Sequence, residues 1–209
     1  MNTEGSIRVL SVDDHPLVRE GVVAVVSAQP DMLVVAQASS GSEAIRLYRE
    51  HRPDVTLMDL SLPDMTGVEA LIAIRKENPA ARVVMLTTFE GDVQVRRALE
   101  AGAQGYMLKS MPPKELMEVL RRVHSGKRII PPEIAGQLAE YVGEAPLTAR
   151  EIEVLRHLAG GNRNRDIAEI LCVTEDTVKA HIKHLMEKLG ANDRTQAVAI
   201  AVRRGFIHL

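Results

Sequence analysis

Five short runs rich in apolar and β-branched residues punctuate the first half of the chain: IRVLSV (7–12), MLVVAQA (32–38), DVTLMDL (54–60), RVVMLTT (82–88) and GYMLK (105–109). Each is apolar along most of its length instead of alternating, the pattern of a strand buried on both faces. Between them, apolar residues recur at helical spacing: Leu17, Val18, Gly21, Val22, Val25 and Val26, then Ala44, Ile45, Leu47 and Tyr48. Leu71, Ile72 and Ile74 continue the alternation, as do Val93, Val95 and Leu99. Buried strands alternating with helices predict a five-stranded, doubly wound parallel sheet, an α/β domain over residues 1–124.

The pattern then changes twice. Residues 125–144 carry the Pro131-Pro132 pair and one helix-like piece bracketed by glycines, and read as a linker. After Pro146 no strand pattern survives, and four helices are predicted near 148–159, 164–171, 175–189 and 194–205, a small all-α domain over residues 145–209. Thr148 stands three residues before Glu151, the capping-box arrangement, and Thr174 precedes Glu175 and Asp176 at the start of the third of these helices.

A length of 209 residues suits one or two domains. With 45% hydrophobic and 26% charged residues the composition is that of an ordinary globular protein, and no apolar run nears the roughly 20 residues of a membrane span. The N-terminus MNTEGSIRVL lacks the zones of a secretory signal, so a soluble, cytoplasmic protein without membrane attachment is expected. Cys172 is the single cysteine; between Leu171 and Val173 it is expected to be a buried thiol, and it has no partner for an internal disulfide. The net charge of −2 divides unevenly: residues 1–144 hold 16 Lys+Arg against 20 Asp+Glu, and residues 145–209 hold 10 against 8 with four of the seven histidines. The more positive tail permits nucleic-acid binding without requiring it.

In an open parallel sheet, ligands bind beyond the carboxyl ends of the strands. Here those ends are polar: Asp13 and Asp14 after the first strand, Asp59 at the third, Thr87 at the fourth and Lys109 at the fifth. One aspartate at a strand end is usually a helix cap or turn residue. Three converging carboxylates raise one another's pKa unless a cation neutralises them, and a hard divalent ion, most simply Mg²⁺, meets that need. A carboxylate nucleophile, a metal, a hydroxyl and an ammonium together suit phosphoryl transfer to an aspartate.

The strings VLSVDDHPLVREG, LMDLSLPDMTGVEA, VVMLTT and GAQGYMLK resemble the receiver domain of two-component response regulators over about residues 6–124. That resemblance implies Asp59 as phosphoacceptor, and Asp13, Asp14, Asp59 and the carbonyl of Ser61 as the Mg²⁺ site. It also implies Thr87 and Lys109 as partners of the phosphoryl group, with Tyr106 as the aromatic that repositions. Ser61 and Phe89, each two places beyond a site residue, would tune phosphoryl lifetime. His15 reads as an ordinary residue opening the first helix, and Met58 and Met107 as core.

In the tail, Ile167, Ala168, Ile170 and Leu171 supply an apolar face to one helix, and CVT forms a turn. On the next helix Val178, Ile182, Leu185 and Leu189 recur at core spacing. Lys179, Ala180, Lys183 and His184 occupy its other face, where lysines can donate to guanine or phosphate and alanine can meet a thymine methyl. The strings LTAREIEVL, DIAEIL, TVKAHIKHLMEKLG and DRTQAV resemble the LuxR-type helix-turn-helix over about 146–207, and the pair of modules resembles the NarL/FixJ architecture. This implies that Lys179, Ala180 and Lys183 face bases, that His181 lies near the backbone, and that the last helix joins two copies on an inverted repeat of double-stranded DNA. GGNRNRDIA departs from the usual serine-asparagine-lysine lead into the supporting helix, with Arg163 and Arg165 keeping positive charge there.

The expectation is a DNA-binding transcription regulator, not an enzyme acting on a metabolite, switched by a sensor histidine kinase. A homodimer on DNA, and RNA polymerase as a further partner, complete it. A receiver gating an enzyme is disfavoured, because no glycine-rich phosphate loop, His/Cys metal spacing or nucleophile-base pair follows residue 145. A phosphorylation-independent receiver is disfavoured by the complete acidic set. The alternative from another class is a phosphorylation-dependent protein-binding adaptor that does not read DNA, and Lys179 and Lys183 discriminate the two.

Overall fold

A computed structural model describes residues 5–88, 91–140 and 145–207. Phe89, expected to tune phosphoryl lifetime, lies outside the described residues. The chain divides into two compact units, one of residues 1–89 and 95–135, the other of residues 90–94 and 136–209.

The first unit holds strands β1 (Ile7–Val12), β2 (Met32–Ala38), β3 (Val55–Asp59), β4 (Val83–Thr87) and β5 (Gly105–Leu108). Helices α1 (Pro16–Ser27), α2 (Gly41–His51), α3 (Gly67–Glu77), α4 (Asp92–Glu100, from residue 95 on in this unit) and α5 (Pro113–His124) alternate with them. The strands form one parallel sheet in the order β2-β1-β3-β4-β5, so the winding direction reverses between β1 and β3. That switch point opens the crevice in which such sheets bind ligands, and Asp13 and Asp59 stand at its two sides. Strands β3 and β4 are buried at every position, which explains their unbroken apolar runs.

Successive side chains of a strand point to opposite faces. Val9, Leu57, Val84 and Leu86 pack on one face against Val22 and Val26 of α1 and Leu116, Leu120 and Val123 of α5. Helical periodicity overstated the buried stripe at two places: Leu17 is 83% exposed and Ile72 52%. Both lie on helices whose cores are already filled by other residues, Val22 and Val26 on α1 and Val68, Leu71 and Ile74 on α3.

Past α5 the chain returns to the sheet. Ile129 forms a parallel bridge to Gly105, donating its amide to Gln104 and accepting from that of Tyr106. Helix α6 (Pro132–Glu140) follows. The second unit contains α7 (Ala149–Ala159), α8 (Asn164–Ile170), α9 (Glu175–Leu189) and α10 (Arg194–Arg204) around Val154, Leu155, Leu158, Ile167, Val178, Leu185, Leu189, Ala197 and Ala201. The Thr148/Glu151 capping box and the Thr174 cap are both present.

Two expectations for this unit are corrected. Cys172 is exposed, because it takes a left-handed backbone (φ 52°) in the tight turn after α8. Ile170 is 53% exposed, because α8 packs chiefly through Ile167 and Ala168, with Leu171 only partly buried beyond it.

Candidate functional site

The sheet brings Asp13, Asp59, Thr87 and Lys109 to one edge. Asp59 is the last residue of β3 and Thr87 the last of β4, both buried. Asp13 follows β1, its amide bonded to the Ala38 carbonyl, and Lys109 follows β5, its amide bonded 2.7 Å from the Thr87 carbonyl. Tyr106 is fully buried within β5.

The Lys109 ammonium lies 2.7 Å from Asp13 Oδ2 and 2.9 Å from Asp59 Oδ2, bridging the two carboxylates. Burial pushes the Asp59 carboxyl above its ordinary pKa; the ammonium works against this, while the charge of Asp13 adds to it. For Lys109, burial opposes the charge, but Asp13 and Asp59 together raise its pKa above the ordinary value. The Ser61 amide donates to the Asp59 carboxylate, and Ser61 pairs across the loop with Thr66.

The loop after Asp59 is held by close backbone packing. Gly67 donates its amide to the Leu60 carbonyl, and a Cβ there would stand 1.9 Å from the Asp59 carbonyl oxygen, so only glycine fits. Asp64 spans to α2, accepting from the Gly41 and Ser42 amides at 2.8 and 2.9 Å. Those amides, at a helix N-terminus, lower its pKa to about 2.

Asp14 and His15 complete the cluster. His15 Nδ1 lies 2.5 Å from Asp14 Oδ1 and 3.4 Å from Asp13 Oδ1, and the His15 amide donates to Asp13 Oδ1. Arg19, from the first turn of α1, bonds the Asp13 carbonyl. The sequence reading, which took His15 as an ordinary residue opening the first helix, did not foresee these contacts of His15 and Arg19. Only their proximity to the aspartates along the chain hinted at them.

The donor set fits a divalent cation. Ligand atoms of Asp13, Asp14, His15 and Asp59 all lie within 4.8 Å of one another. That spread is slightly wider than the roughly 4.2 Å between opposite ligands on an ion with Mg²⁺-like bonds. Asp13 Oδ2 and Asp14 Oδ1 are both buried; Lys109 Nζ lies 2.7 Å from the first and His15 Nδ1 2.5 Å from the second.

In the second unit, Lys179, Ala180, Lys183 and His184 are exposed along α9 and His181 is partly buried, opposite the buried Val178, Leu185 and Leu189. Arg163 and Arg165 are exposed at the start of α8. Lys179 lies 3.1 Å from Asp176 and 3.4 Å from Glu175, Lys183 3.9 Å from Glu187, and Arg165 3.1 Å from Glu169. The Asp176 carboxylate, with Glu175, raises the pKa of Lys179. A buried carboxylate fixes the far end of α9: Glu151 accepts from the Thr148 amide and from Lys188, each at 2.7 Å. Among the described residues no helix is long and apolar enough to cross a membrane.

Residues 9–121 match the response regulator receiver domain family, and residues 145–201 match the bacterial regulatory proteins of the luxR family. The chain is 42% identical to the uncharacterized transcriptional regulatory protein YxjL of Bacillus subtilis, over 96% of this chain and 97% of that protein. It is 40% identical to the response regulator protein VraR of Staphylococcus aureus, over 97% and 99%. The crystal structure of response regulator ChrA, from a heme-sensing two-component system, is 36% identical, covers 97% of this chain and 100% of its own, and has a TM-score of 0.59. The two family matches, end to end with the acidic crevice in one and the α8-turn-α9 unit in the other, establish that this chain belongs to the two-component response regulators, those with a receiver domain followed by a LuxR-type helix-turn-helix domain.

Proposed function

We propose that a sensor histidine kinase, or a small phosphodonor, phosphorylates Asp59, and that this switches binding of double-stranded DNA by the C-terminal unit. The carrying observation is Lys109 held between Asp13 and Asp59, which sets a cation beside the buried Asp59 carboxylate at the strand ends. In the transfer, an Asp59 oxygen forms the new P–O bond as the donor's bond to phosphorus breaks, giving an acyl phosphate. Lys109 pairs with the incoming oxygens, and the Thr87 hydroxyl and Tyr106 ring readjust. Asp13, Asp14, Asp59 and the Ser61 carbonyl would hold Mg²⁺, which neutralises charge on the transferring oxygens. The protein transfers nothing onward to a metabolite, and works in the cytoplasm.

The domains are receiver (1–124), linker (125–144) and reader (145–209), as the limits of the family matches support. Lys179, Ala180 and Lys183 face bases; His181, His184, Arg163 and Arg165 lie at or near phosphates. Phosphorylation favours a homodimer on an inverted repeat, coupling two weak half-sites, with RNA polymerase as a candidate further contact. Selection of bound duplexes from a random library, with and without acetyl phosphate and Mg²⁺, tests the reading. An inverted repeat enriched by the wild type and lost with Lys179→Ala/Lys183→Ala is the expected result. Enrichment of nothing under any condition contradicts DNA reading and leaves a protein-binding adaptor.

A further inference from the structure

We infer that Arg150, on α7 and away from the reading face, is a positioning residue for DNA recognition: through the Leu171 carbonyl it fixes the direction in which α9 leaves the turn after α8. The inference rests on the reading of α9 as the helix that meets DNA, and assigns what aims that helix.

From the first turn of α7, the Arg150 guanidinium spans two acceptors: Nη2 donates to the Leu171 carbonyl at 2.9 Å and Nη1 to Glu153 Oε2 at 2.7 Å. Leu171 is the C-cap of α8. The last carbonyls of a helix have no partner inside it, and the guanidinium supplies one here. Cys172, the next residue, carries the left-handed φ of 52°, and Thr174 already caps α9. A left-handed backbone is costly for a residue with a side chain and persists where the surroundings hold it; the Arg150 bond grips the residue immediately before it. One position along α7, Glu151 accepts from Lys188 at 2.7 Å near the other end of α9. Consecutive residues of α7 therefore hold the approach to α9 and its far end. The planar guanidinium keeps its two acceptors in a rigid fork, which a single ammonium does not reproduce. A swing of α9 about the turn would misalign Lys179, Ala180 and Lys183 with base edges, which carry sequence information, more than it would weaken phosphate contacts, which carry none. Arg150 thus acts on discrimination between sequences. Its side chain is 33% exposed, so a direct phosphate contact is the competing role.

The test is fluorescence anisotropy on the full chain treated with acetyl phosphate and Mg²⁺, well below the melting temperature of each variant. It measures Kd for the duplex enriched by selection and for a scrambled duplex of equal length, each across a range of salt. In Arg150→Ala the ratio of the two affinities is expected to fall about tenfold or more, the size of one lost base-pair preference. The loss falls on the enriched duplex, while the Kd and salt slope for the scrambled one stay as in wild type. Arg150→Lys keeps the charge and breaks the fork; it is expected to lower the ratio in the same direction, and decides the matter if the alanine variant does not fold. Equal losses on both duplexes, with a salt slope shallower by about one, make Arg150 a phosphate ligand and overturn the inference. An unchanged ratio in the folded variant also overturns it, leaving a bond that serves stability alone. A wild type that shows no preference between the duplexes overturns it together with the DNA reading, and is seen before any variant is made.

Discussion

Lys109 Nζ stands 2.9 Å from Asp59 Oδ2, and the same ammonium holds Asp13 Oδ2 on its other side at 2.7 Å. Removing it leaves two buried carboxylates facing one another. Lys109→Met should therefore destabilise the receiver by about 3 kcal/mol, toward the lower end for a broken buried pair. Urea unfolding of the full chain without and with saturating Mg²⁺ checks this. Because a ligand of the folded state stabilises by about 2.7 kcal/mol at a hundred times its Kd, Mg²⁺ should recover much of the loss. A variant as stable as wild type without metal contradicts the role given to the ammonium.

Gly67 is packed against the backbone of Asp59, with room for no Cβ. Gly67→Ala should cost about 1 to 3 kcal/mol by overpacking. It should also displace the Asp59 carbonyl, so phosphorylation by acetyl phosphate, followed on a phosphate-affinity gel, should slow as well. Normal phosphorylation in a destabilised variant would separate the two effects and place the strain elsewhere.

Asp64 ties the loop after Asp59 to the N-terminus of α2, and its pKa is lowered to about 2 from an ordinary 3.8. A depressed folded pKa stabilises above the unfolded value and is lost as pH falls through the folded one. The contribution of Asp64 should accordingly be complete above about pH 4 and vanish toward pH 2. In acid titrations followed by circular dichroism, Asp64→Asn should be less stable than wild type at neutral pH, with the difference closing across that window. A difference that stays constant from pH 5 to pH 2 would count against the carboxylate.

Glu151 is 5% exposed at its side chain and depends on Lys188. Burial alone would raise its pKa, but the Lys188 ammonium and the Thr148 amide hold it below the ordinary value. Lys188→Met should cost the C-terminal unit about 1.5 to 3 kcal/mol, the range for a charged hydrogen bond. It should also reverse the sign of the acid response: wild type loses this stabilisation as pH falls below the ordinary carboxylate range, whereas the variant gains as the stranded carboxylate protonates. Thermal melts at pH 7 and at about pH 3, below the ordinary carboxylate range, read both signs.

What the sequence made legible follows from what periodicity encodes. Unbroken apolar runs mark strands covered on both faces, so the polar residues ending them, Asp59, Thr87 and Lys109, stand out as a convergent set. The period of a helix shows which face is apolar but not whether anything covers it. Leu17, Ile72 and Ile170 consequently read as core while standing largely exposed. Cys172 misled for a different reason: its apolar neighbours suggested burial, but a left-handed turn geometry turns it outward. The return of Ile129 to β5 depends on a tertiary contact made by a residue whose local pattern gives no sign of it.

The most direct test of phosphorylation-switched DNA binding is the Kd of the full chain for its selected duplex, by fluorescence anisotropy at fixed salt, before and after acetyl phosphate with Mg²⁺, beside Asp59→Asn. Salt must be held constant because affinities that involve phosphate contacts fall steeply with it. The account predicts a gain of about tenfold or more on phosphodonor treatment, roughly 1.4 kcal/mol of coupling, that Asp59→Asn does not show. An equal gain in Asp59→Asn, or none in the wild type once Asp59 is shown to be phosphorylated, would contradict it.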